Sequence, residues 1–130
     1  MATLSKSFGL VATYTTTTTA EYNRNVNIRI ACNAISMEVK NGETFSFNKA
    51  TGKRQVDKGY LEAGVIVSGA SDQGLGGGVC QVACTLYYVT LHMDLEQVER
   101  EEHMFAVTYV DLGMDATIYW GSLDYKFKNT

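Results

Sequence analysis

The sequence predicts an α+β fold, a mainly antiparallel sheet of about five to seven strands against which two principal helices pack. Three observations carry this. Two stretches, one in the first third of the chain and one after a glycine run, place apolar residues at helical spacing. Several shorter segments alternate apolar with polar residues and end at Gly, Asn or Ser. The chain of 130 residues with 45% hydrophobic content suits one domain, residues 1–130, that can bury a core without disulfides or metals.

Taken in order, Phe8, Leu10, Ala12 and Tyr14 alternate with small or polar residues and predict a half-buried strand. The run Thr15 to Thr19 is low in complexity and reads as a loop. A first helix is expected over about Asn25 to Val39, with Ile28, Ala31, Cys32, Ile35 and Val39 on its apolar face and Asn41-Gly42 as its stop. Asn25 and Asn27 are cap candidates, and Cys32 reads as core filler. Glu43 to Asn48 predicts a strand with Phe45 and Phe47 inward, and Leu61 to Ser68 predicts another. Between them, Lys49 to Gly59 is a polar connection of the kind that often supplies ligand contacts. Arg54 in it is a possible carboxylate partner, with a solvated charge as the plainer reading.

The second helix is expected over about Val79 to Met93, with Val79, Val82, Ala83, Leu86, Val89 and Thr90 at helical spacing. It should be buried along much of its length, with its N-terminus open on a cleft. Beyond it, Phe105, Val107 and Tyr109 alternate as a strand. Ala116 to Trp120 and Leu123 to Phe127 read as two strands joined at Gly121-Ser122, a link suited to a hairpin turn.

The junction Gly74-Leu75-Gly76-Gly77-Gly78-Val79-Cys80-Gln81 is the candidate functional stretch. It puts Cys80 in the first turn of a helix, where unpaired N–H groups and the positive end of the macrodipole favour an anion. A thiol there is expected to ionise more readily. The same N–H groups, around Gly77 and Gly78, can hold a developing oxyanion, and the Gln81 side chain can add a hydrogen bond to the oxyanion or to substrate. The alternative is a packed, inert Cys80 beside a tight glycine loop.

A thiolate nucleophile needs a base. The chain has two His; His92 falls in the body of the second helix, and His103 at the mouth of a predicted strand is the better partner, its plainer reading being an exposed or satisfied loop histidine. Asp115 could accept the second ring N–H of His103 and fix its tautomer, or it could be a plain turn residue. A zinc site built from Cys80, Cys84, His92 and His103 fails on spacing, because a helix carries His92 roughly 18 Å along its axis from Cys80. No metal and no cofactor is expected.

The stretch Gly-Gly-Gly-Val-Cys-Gln followed by Thr85-Leu86-Tyr87 resembles the signature of the VanW family of bacterial cell-envelope proteins. Other motifs resemble it in the same order: Arg24-Asn25-Val26-Asn27-Ile28, Gly42-Glu43-Thr44-Phe45-Ser46-Phe47-Asn48, Gly59-Tyr60 with Ala63, Glu99-Arg100, His103, Tyr109, Gly113 with Asp115-Ala116-Thr117, Trp120-Gly121, Asp124, and Phe127 with Asn129. The resemblance runs from about Tyr14 onward. Cys84 departs from it, standing where the family generally has Ser or Thr.

The resemblance implies a link to peptidoglycan, since the family is associated with glycopeptide resistance and Gram-positive envelopes, and some members are understood as L,D-transpeptidases that use the Cys of this motif. It implies peptidoglycan stem peptides as partners, catalysis by Cys80 with His103, and an extracytoplasmic location. Two other function classes stay open: a non-catalytic envelope-binding or scaffolding domain, and a cysteine peptidase or amidase.

Bulk properties exclude some partners. A net charge of −3 and a pI near 5.3 give no electrostatic case for nucleic acid or an anionic membrane. No stretch approaches a membrane span, and the first residues lack the pattern of a signal peptide. Three Cys, an odd number, imply no disulfide framework.

Overall fold

A computed structural model describes residues 12–67, 70–102 and 113–130, without the side chains of 65–67 and 70–73. Its elements in chain order are α1 (Tyr22–Ile35), β1 (Thr44–Ser46), a short α2 (Phe47–Thr51), a 3-10 turn (Val56–Lys58), β2 (Glu62–Val67), β3 (Ala70–Leu75), α3 (Val79–His92), β4 (Glu96–Glu99) and β5 (Lys126–Lys128). Every strand pairing among them is antiparallel, so the fold is α+β as expected. Among the described residues the strands group as β1, β5 and β4 in that order, and as the pair β2 and β3.

The core lies where α3 meets the three-stranded sheet. Val79, Val82, Ala83 and Tyr87 of α3 pack with Phe45, Phe47, Tyr60, Ala116, Ile118, Tyr125 and Phe127. Phe45 and Phe127 pair across β1 and β5 and stack at 5.0 Å, and Tyr87 meets the edge of Tyr125 at 5.6 Å. Burial of these aromatic rings is a large share of the apolar surface removed from water. No helix of the described residues is long and apolar enough to cross a membrane.

Several expectations shift. α1 begins at Tyr22 and ends at Ile35, where the Ser36 hydroxyl turns back onto the Cys32 carbonyl at 2.8 Å. Asn41-Gly42 does not stop it; the Gly42 N–H instead donates to Asn129 O at 2.6 Å and delivers the chain into β1. Cys32 is exposed, not core, because α1 buries the row through Asn27 and Ala31, and Cys32 lies about 100° around the helix from Ala31. The strand expected over Glu43 to Asn48 yields after Ser46, whose hydroxyl accepts from Lys49 N and caps α2. Phe45 and Phe47 are both buried all the same.

β3 is an unexpected strand. Its sequence, Ala-Ser-Asp-Gln-Gly-Leu, has little strand propensity, and pairing with β2 from Glu62↔Leu75 to Val67↔Ala70 supplies what propensity does not. β4 was not expected either. The hairpin around Gly121-Ser122 shrinks to one bridge, Tyr119 with Leu123, before β5 begins at Lys126. Residues 12–14 lie outside any strand, and the remainder of the strand expected from Phe8, like that from Phe105 to Tyr109, lies outside the described residues.

Candidate functional site

The glycine loop is held from two sides. An ideal Cβ on Gly77 would lie 2.6 Å from Ala63 C and Gly64 O of β2, so only glycine lets the two backbones approach this closely. Gly78 caps α3 at φ +104°, and a Cβ there would meet Arg24 Cγ of α1 at 2.9 Å. α3 then starts at Val79, as its apolar spacing predicts.

Cys80 occupies the first turn and is partly buried, its thiol 3.5 Å from the Ile118 carbonyl oxygen. The Val79 N–H donates to Gly76 O and that of Gln81 to Gly78 O. The Cys80 N–H between them has no backbone acceptor outside the helix ladder among the described residues. A thiol and a first-turn N–H therefore belong to the same residue.

The Gln81 side chain faces elsewhere. It is buried, its Oε1 accepts from Arg24 Nη2 at 2.6 Å, and its Nε2 donates to Thr16 Oγ1 at 3.0 Å and Thr17 O at 3.1 Å. The amide protons fasten the Thr run onto α3, and the amide oxygen fastens α1 through Arg24. Asp115 is buried beside Arg100, whose Nη2 lies 3.7 Å from its Oδ1 and whose Nε donates to its backbone oxygen at 2.9 Å. His103 lies outside the described residues. His92 is exposed at the far end of α3, stacked on Tyr88 at 4.4 Å.

An open depression of about 420 Å³ among the described residues is lined by Asn48, Lys49, the turn 120–122, Asp124, Glu99 of β4 and Lys126 of β5. It is not a cleft at the N-terminus of α3, since none of its lining residues comes from the glycine loop or from α3.

Residues 23–130 match the family model described as VanW like protein. The chain belongs to the VanW family. It is 43% identical over 108 residues to the uncharacterized protein YoaR of Bacillus subtilis, an alignment covering 82% of this chain and 36% of that protein. It is 32% identical over 113 residues to the vancomycin B-type resistance protein VanW of Enterococcus faecalis, covering 82% of this chain and 41% of that one. The match thus covers less than half the length of each relative. No solved structure matches it significantly.

Within this VanW domain, three residues do more than their sequence context suggests. Asn27 is fully buried in α1, well past the helix start, and so is not a cap. Its Nδ2 donates to Leu61 O at 2.8 Å and Gly77 O at 3.0 Å while its Oδ1 accepts from Leu61 N at 2.8 Å, which ties α1, β2 and the glycine loop together. Asn25 binds back to Thr18 and Thr19 instead of capping α1. Arg54 is not a solvated charge: its Nη1 donates to Asn48 Oδ1 at 2.9 Å, and its guanidinium lies 5.8 Å from the Phe47 ring centroid. Tyr60 is 1% exposed. A polar Asn at helical position 27 and a Gly59-Tyr60 pair were the only signals in the sequence for these contacts, and neither names its partner.

Proposed function

We propose that this domain is a peptidoglycan L,D-transpeptidase-type acyltransferase that works through a Cys80 thioester. The observation that carries the reading is the placement of Cys80 in the first turn of α3, directly after a glycine loop that fixes the helix start. Family membership and the resistance protein among the relatives support the link to the cell wall. On this reading the domain works in the cell envelope, outside the cytoplasmic membrane.

The Cys80 sulfur attacks the carbonyl carbon between the third and fourth residues of a donor stem peptide. Negative charge develops on the carbonyl oxygen, where the Cys80 N–H and the backbone around Gly77 and Gly78 stabilise it. The C–N bond breaks, and the terminal D-Ala amine leaves with a proton that His103 took from the thiol. The amine of a second stem peptide then attacks the thioester and gives a proton to His103. The C–S bond breaks, leaving a 3-3 cross-link and a free thiol. Water in place of the amine gives carboxypeptidase activity. Asp115 is the orienting carboxylate for His103 in this scheme.

The competing reading is a non-catalytic envelope-binding domain, favoured by the contact of the Cys80 thiol with Ile118 O. Incubation with a stem tetrapeptide followed by intact-protein mass spectrometry separates the two. Acyl transfer gives a thioester adduct, absent in Cys80→Ala, and iodoacetamide labels Cys80 faster than the exposed Cys32. No adduct, with Cys80 labelled no faster than Cys32, would leave the binding domain as the better account.

A further inference from the structure

Two side chains that pack on the glycine loop carry buried donors with no partner among the described residues. Arg54 Nη2 and the Tyr60 hydroxyl are buried side-chain atoms without a hydrogen-bond partner among the described residues. Both side chains pack on Gly76, four residues before Cys80: a Cβ on Gly76 would lie 2.7 Å from Arg54 Cγ and 3.8 Å from Tyr60 Cδ1. Gly76 also accepts from the Val79 N–H, so the residue on which both side chains pack is part of the turn that leads into α3. Buried polar groups are almost always paired, and an unpaired cation is the costliest exception.

Among the described residues no carboxylate forms an ion pair with Arg54. Asp124, whose charge acts on Arg54, already accepts from the Ser46 hydroxyl, from Asn48 N at 2.8 Å and from Tyr125 N at 2.8 Å. Arg54 Nη1 is used by Asn48 and Gly52, and Nη2 is left over. Burial pushes the Tyr60 phenol up, so it stays a proton donor, while desolvation lowers Arg54 and the charges of Tyr60, Cys80 and Asp124 act against that lowering. The loop around them is cationic. Lys49, Lys53, Arg54 and Lys58 stand against a single acid, Asp57, in a chain whose net charge is −3.

We propose that Arg54 and Tyr60 form a receptor for a carboxylate, the C-terminal α-carboxylate of the peptide whose preceding carbonyl is presented to Cys80. The two unused groups are both donors and one is cationic, which suits two carboxylate oxygens better than an amine or a metal cation. The inference rests on the acyl-transfer reading for the identity of the peptide. It would make the domain selective for donors that end in a free acid.

The test compares N-acetyl-D-alanine with N-acetyl-D-alaninamide as ligands of the full chain, by calorimetry and by protection of Cys80 from iodoacetamide. The acid is expected to bind roughly tenfold or more tightly than the amide. Arg54→Gln should abolish that preference, Arg54→Lys should restore part of it, and Tyr60→Phe, which removes only the hydroxyl, should weaken it a few-fold. Melting curves of each variant confirm that it folds. Equal binding of acid and amide, no binding of either, or a preference that survives Arg54→Gln in a folded protein overturns the proposal.

The two readings fail separately. Acid preference in a parent protein that forms no thioester with a stem tetrapeptide keeps the carboxylate receptor and sinks acyl transfer. A thioester that forms equally fast from a stem tetrapeptide and from its C-terminal amide keeps acyl transfer and sinks the receptor.

Discussion

The Cys84 thiol meets the Ala116 backbone twice, accepting from its N–H at 3.1 Å and donating to its carbonyl oxygen at 3.3 Å. One turn earlier on α3, Cys80 meets Ile118. Four helical residues advance about 6 Å and two residues of extended chain about 6.6 Å, so the two contacts belong to one register between α3 and the 116–118 segment. The Cys84 contact therefore fixes what the Cys80 thiol faces.

Replacing Cys84 tests that register. Cys84→Ala leaves the buried Ala116 N–H without its acceptor and should cost about 2 kcal/mol in urea unfolding. Cys84→Ser keeps a donor and acceptor and should cost less. Serine no better than alanine would show that volume, not hydrogen bonding, matters at this position.

The two glycines 64 and 77 should respond in opposite ways. A Cβ at Gly77 would collide with the backbone of Ala63 and Gly64, whereas Gly64 has nothing within 4 Å. Gly77→Ala is expected to cost more than about 2 kcal/mol and to disturb the loop before Cys80. Gly64→Ala should stay within about 0.5 kcal/mol of the parent. Equal melting temperatures for the two variants would contradict the close approach.

Asn27 carries three hydrogen bonds from a fully buried position, two of them to Leu61. Asn27→Ala strands the Leu61 N–H and the Gly77 carbonyl, while the Leu61 carbonyl keeps the Gly76 N–H at 3.1 Å, at a cost of about 2–3 kcal/mol. Faster amide exchange at Leu61 in a folded Asn27→Ala protein would locate the loss. Unchanged exchange there would mean that water replaces the side chain.

Tyr125 gives the protein an alkaline weak point. Burial pushes its phenol up to about 12, against opposing hydrogen bonds to Thr90 and Gln97. The ordinary value in an unfolded chain is about 10. Between these two values the folded state holds a proton that the unfolded state has lost. The contribution is full below pH ~10 and disappears as the pH rises toward ~12, up to about 2–3 kcal/mol in all. Urea unfolding from pH 8 to 11.5 should show a steeper decline for the parent than for Tyr125→Phe. Parallel slopes would remove Tyr125 as the cause.

Where the sequence was legible, the reason is local. The period of Val79, Val82, Ala83, Leu86 and Thr90 needs no knowledge of the rest of the chain, and glycine before it cannot continue the helix, so α3 begins where the pattern begins. Phe45 and Phe47 are buried as their alternation implies, even though the backbone turns helical between them. β3 was not legible, because a strand of Ala, Ser, Asp, Gln, Gly and Leu exists through its partner β2.

The sequence by itself determined the fold class, the position of Cys80 in the first turn of α3 and the family, because spacing and ordered motifs are properties of the chain. Only the tertiary structure decided that Cys32 faces solvent, that Gln81 is spent on Arg24 and the Thr run, and that Arg54 and Tyr60 converge on Gly76 with donors unused. The physical reason is that periodicity reports which residues share a face. It does not report how far an element is rotated, nor which side chain from fifty residues away arrives to fill a hydrogen bond.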